Sequence, residues 1–157
     1  ANEDLIYFNY VRNNVYISRS DICLESNTDT PNLIIKFLDF NSGDNKPVVN
    51  LKIKGVDSEN DFFIGTADSI SIPLSNYQNT TPFSFTKEFD SNQANEDLIY
   101  FNYVRNNVYI SRSCGYKMEY EIENIISEND NLNWIEDSII EKRVVNDEIS
   151  HHVKIYH

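Results

Sequence analysis

The sequence predicts an all-β fold, an antiparallel β-sandwich of immunoglobulin-like or related type with seven to nine strands. Three observations predict it. Apolar and polar residues alternate with a period of two along most of the chain, the pattern of half-buried strands. Polar stretches rich in Asn and Asp recur at fairly regular spacing, as turns between short strands do. Of the 157 residues, 40% are hydrophobic and 13% aromatic, enough to fill one core.

The elements follow in order. Leu33 to Phe40 is apolar on both faces and reads as a central strand. Val49, Leu51 and Ile53 share one face, with Asn50, Lys52 and Lys54 opposite. Ile70, Ile72 and Leu74 alternate with Ser69, Ser71 and Pro73, and Phe83, Phe85 and Phe89 with Ser84, Thr86 and Glu88. Leu98 to Val104 is a strand that enters a hairpin turn at Arg105-Asn106-Asn107, because Asn tolerates positive φ. A long strand follows, with Val108, Ile110, Cys114, Tyr116, Met118, Tyr120 and Ile122 on its inner face and Lys117, Glu119, Glu121 and Glu123 outside. Trp134 to Val145 has some helical spacing, but its Ile and Val content favours strand. His152 to Tyr156 is a last short strand.

One feature interrupts this order. Residues 1–20, ANEDLIYFNYVRNNVYISRS, repeat without mismatch as residues 94–113. A diverged structural repeat keeps its apolar pattern and loses its letters. Twenty identical letters therefore point to a recent duplication, an engineered addition or an artefact. The second copy continues strand parity into Cys114, so 94–113 is the native copy, 1–20 the graft, and 21–157 a single sandwich domain. Both copies want one slot in the sheet, which makes strand addition or exchange with a neighbouring molecule the expected consequence.

Charge and motifs exclude several functions. Thirteen basic against 25 acidic residues give a net charge of −12, which disfavours nucleic acid and anionic lipid. No G-x-S-x-G elbow is present, and neither cysteine has a neighbouring base in sequence, so no catalytic residue is expected. His151, His152 and His157 match no zinc spacing and read as surface histidines. Asp39 with Asp44, and Glu128-Asn129-Asp130-Asn131, lack the calcium-loop order and read as solvated turns. No metal and no cofactor is expected. Trp134 reads as an inter-sheet anchor. Cys23 and Cys114 form either a bridge, implying an oxidising compartment, or two free buried thiols.

Several segments in order resemble a small lipoprotein family of unknown function from the Bacteroidota cell envelope. They are Asp21-Ile22-Cys23, Pro31 to Asp39, Asp68 to Leu74, Thr80 to Phe85, Val108 to Tyr116, Asn133-Trp134-Ile135 and His152 to His157. The resemblance implies a non-enzymatic domain at the outer membrane, periplasmic or surface-facing, tethered through a lipidated cysteine just before Asp21. The place of that anchor is taken here by residues 1–20. It implies a partner among outer-membrane or other envelope proteins, and it leaves Cys23 available to pair with Cys114. It also makes Ser69 and Ser138, in Asp68-Ser69-Ile70 and Asp137-Ser138-Ile139, candidate O-glycosylation sites. Competing expectations are a glycan- or peptide-binding module and a strand-exchanging, pilin-like subunit.

Overall fold

A computed structural model describes residues 22–26 and 28–157. The duplicated segment 1–20, with its expected graft or strand exchange, lies outside the described residues. The described residues form an all-β fold without a helix. The strands are β1 (Leu33–Leu38), β2 (Val48–Gly55), β3 (Asp61–Ala67), β4 (Ser69–Ile72) and β5 (Thr80–Lys87). They continue with β6 (Asn95–Ser111), β7 (Gly115–Ser127), β8 (Asp137–Ile140), β9 (Val144–Val145) and β10 (Val153–Tyr156). Ten strands exceed the expected range by one: Trp134 to Val145 supplies two short strands, and β3 lies where the alternation named no strand.

The strands build two sheets, ordered β4-β1-β10-β8 and β3-β2-β5-β6-β7-β9. In the first, β1 and β10 run parallel, with Ile35 opposite Val153 and Phe37 opposite Ile155. β1 is thus paired on both edges, the central strand its apolar run predicts. Asp68 alone separates β3 in one sheet from β4 in the other. Inward residues of both sheets form a single buried cluster that includes Ile35, Phe37, Ile72, Leu51, Phe83, Phe101 and Ile155. Phe83 meets Phe85 and Phe101 edge-on, with centroids 6.4 and 6.0 Å apart. Trp134 is buried in the same cluster and its indole N–H donates to Phe85 O at 3.1 Å, which makes it the expected anchor.

The structure corrects four expectations. Val49 is exposed, while Val48, Leu51 and Ile53 are buried. The register slips between Val48 and Leu51, and Asn50 takes a left-handed conformation (φ 47°), so a bulge inverts the parity ahead of it. The Arg105-Asn106-Asn107 turn does not exist, and β6 runs unbroken to Ser111. Arg105 remains in strand and anchors a loop, donating from Nε to Asn79 Oδ1 at 2.9 Å and from a terminal nitrogen to Asn76 O at 2.7 Å. The chain reverses instead at Arg112-Ser113-Cys114, ahead of Gly115 at φ 74°. In β7 the expected face holds for Tyr120 and Ile122 but not for Tyr116, which is exposed while Lys117 is buried. The histidines are not all superficial. His152 is fully buried and His157 half-buried, because the segment after β8 covers the former and the loop before β2 the latter.

The chain divides into two units. Residues 30–106 and 118–157 form the larger one, and residues 107–117 belong to the smaller one, together with the described residues up to Asp29.

Candidate functional site

The smaller unit brings together groups that are far apart in sequence. Cys23 and Cys114 stand at disulfide distance, with Cα atoms 4.6 Å apart across 91 positions. The turn supports this placement. Ser111 Oγ donates to Glu25 Oε1 at 3.1 Å and accepts the Cys114 N–H at 3.0 Å. Gly115 takes the left-handed conformation that lets β7 begin, and a Cβ there would strain the backbone without meeting any atom within 4 Å.

Tyr109 and Tyr116 lie across this hairpin end, edge to face, with centroids 5.2 Å apart. They are 57% and 63% exposed. Ile22 and Leu24, in the segment that carries Cys23, are exposed as well. The small unit thus exposes four large apolar side chains and also carries Glu25 and Arg112.

The ligand atoms of Cys23, Glu25 and Cys114 lie within 4.8 Å of one another. Joined as a disulfide, the two sulfurs have no thiolate for a cation, and three donors fall short of a tetrahedral structural set.

The remaining predicted residues are scattered. Ser69 is exposed at the start of β4 and Ser138 half-buried in β8, the two edge strands of the four-stranded sheet. Asp39 accepts the N–H groups of Asn41 and Ser42 and pairs with Lys46 at 3.0 Å. The Ser42 N–H, with Lys46, holds its carboxyl down to about 2. Asp39 therefore organises a turn. In the other acidic loop, Asp130 Oδ1 accepts the Leu132 N–H at 2.9 Å and Asn129 Oδ1 accepts that of Asn131 at 2.8 Å. No helix among the described residues is long and apolar enough to cross a membrane.

Three buried residues, Asp97, Tyr103 and Tyr120, have polar roles that the sequence argument did not assign. Asp97 sits on the inner face of β6, 1% exposed, and accepts the Ile135 N–H at 2.9 Å. Burial pushes its carboxyl above the usual range, against the hydrogen bonds that favour the charged form. Its parity with Ile99, Phe101 and Tyr103 was the available signal. Tyr103 and Tyr120 meet edge-on at 5.2 Å and aim their hydroxyls at the loop after β4. Tyr103 reaches Ser75 and Thr81, and Tyr120 reaches Leu74 O and Asn76. Burial raises both phenols, Tyr120 to about 12, so they act as neutral structural hydrogen bonders.

Neither a curated protein nor a solved structure matches the chain. A family model does match, over residues 38–157, and it covers β2 to β10 of the sandwich together with Cys114, Gly115 and Tyr116. The chain accordingly belongs to the family of unknown function DUF6452.

Proposed function

We propose that this protein is a non-enzymatic interaction module of the cell envelope, a lipoprotein domain that docks onto an outer-membrane or other envelope protein. The smaller unit is the contact element. The observation that carries the reading is the exposed Tyr109–Tyr116 pair, held on a hairpin end that Cys23 and Cys114 close against residues 22–26. Tyrosine is enriched in interface cores because a rigid ring gives contact area for little entropy. A Cys23–Cys114 bridge fits an oxidising compartment and keeps the surface preformed, which lowers the cost of association. The resemblance of the Asp21-Ile22-Cys23 and Val108 to Tyr116 segments supports the Bacteroidota envelope as the setting and a lipid anchor ahead of Asp21.

The test is co-purification from native envelopes, with the lipidated protein compared to a Tyr109→Ala/Tyr116→Ala variant. A stoichiometric envelope protein that accompanies the parent and is lost with the variant supports the reading. Equal recovery with both excludes the hairpin end as the contact.

A further inference from the structure

The larger unit contains a cleft of about 430 Å³, a volume typical of small-ligand sites. Its walls include Lys46, Lys87, Glu88, Glu136, Trp134 and His157. Their chemistry narrows what can bind. Lys46 is committed, with its ammonium 3.0 Å from Asp39 and 3.1 Å from His157 O. His157 Nε2 lies 2.9 Å from Lys46 O, and burial with the two nearby ammoniums lowers its pKa, so the ring is neutral. That leaves Lys87 as a cationic wall residue, its ammonium 5.9 Å from the Trp134 centroid, and Glu88 and Glu136 as acidic ones.

An anion entering the cleft faces two acidic wall residues in a chain of charge −12. An organic cation meets Lys87. No group of three cation-ligating side chains occurs here among the described residues. Pro47, Val48 and Val49 add an apolar wall, but a wholly apolar ligand would strand the charged residues without water. A neutral polyol suits both kinds of wall, because each hydroxyl donates to a carboxylate and accepts from an ammonium.

Backbone strain points to the same place. Glu88 is left-handed at φ 50°, a conformation costly for a residue with a side chain. It is enforced by the neighbouring left-handed Asn50: Glu88 N donates to Val49 O and Phe89 N to Asn50 O, both at 3.1 Å. Strain of this kind, imposed by surrounding pairing, gathers at ligand-binding positions.

We propose that the cleft lined by Lys87, Glu88, Trp134 and Glu136 binds a neutral saccharide unit, with Glu88 and Glu136 accepting its hydroxyls and Lys87 donating to them. This site is independent of the hairpin end.

Amide and indole N–H spectra of the full chain, titrated with cellotriose, mannotriose, diacetylchitobiose, triglucuronate, spermidine and trialanine, test it. Saturable shifts at Lys87, Glu88, His157 and the Trp134 indole with at least one neutral saccharide are expected. Glu88→Gln should weaken that binding about tenfold, as loss of a charge-assisted hydrogen bond does, and leave the remaining spectrum folded. Shifts with triglucuronate, spermidine or trialanine alone, or no shift at millimolar neutral saccharide, overturn the proposal. So does unchanged affinity in both Glu88→Gln and Glu136→Gln.

Discussion

The buried imidazole of His152 accepts the Ile34 N–H at Nδ1, 2.9 Å away, while its Nε2 donates to Asp147 O at 2.9 Å. The ring is therefore a neutral spacer between β1 and the loop before β10. Protonation at Nδ1 would destroy an acceptor inside the fold.

Burial accordingly lowers the His152 pKa below its usual 6.5. The unfolded chain then takes up this proton before the folded chain does. Stability is complete above about 6.5 and declines as pH falls through and below that value. Denaturant titrations at about pH 7.5 and about pH 5.5 should show the loss. His152→Gln should cost about 1–3 kcal/mol at the higher pH, through the stranded Ile34 amide, and should flatten the pH slope. His157, lowered in the same direction, leaves a residual slope.

Joining Cys23 to Cys114 closes a loop of 91 positions. Cys114→Ser should lower stability by about 2–4 kcal/mol. Intact mass before and after reduction should differ by two hydrogens in the parent and not in the variant. A parent that binds a thiol reagent without prior reduction would show that the pair is not bridged.

Asp97 ties the segment that carries Trp134 to β6 through the Ile135 amide. Its raised pKa means that its contribution to stability is greatest below the usual carboxyl value and is lost as pH rises through the folded one. Asp97→Leu leaves the Ile135 N–H unpaired and should cost about 1–3 kcal/mol. Asp97→Asn keeps an acceptor and removes the buried charge, so the loss should be smaller and should shrink further as pH rises from acid to neutral conditions. Thermal melts of both variants check the order.

Glu88→Gly relieves the left-handed backbone. The expected gain is roughly 0.5–1 kcal/mol after the entropy of the added glycine is discounted. The same change should abolish saccharide binding in the cleft. Gain of stability with retained binding would separate the strain from the site.

Period-two faces carried most of the fold. Ile70, Ile72 and Leu74, like Phe83 and Phe85, point inward as their alternation requires. The failures have local causes that parity does not encode. Asn50 turns left-handed because Thr66 Oγ1 and the Asp90 carboxylate hold it there, and those partners come from other elements. Asn106-Asn107 resembles a turn only while Gly115, eight residues on, is ignored. His152 shares the outward parity of Lys154, yet it is buried because its ring is held between the Ile34 N–H and Asp147 O, partners from other segments. At the candidate site, sequence gave the two cysteines and the tyrosines separately. Only the reversal at residues 112–114 places Tyr109 against Tyr116.

The hairpin end is the proposed docking surface. A photoactivatable side chain at position 109 in the full-length protein, illuminated in intact source cells, tests it. One adduct of discrete mass is predicted from position 109, weakened by Cys114→Ser, with none from the exposed Ile149. Adducts from Ile149 and none from position 109 would contradict it.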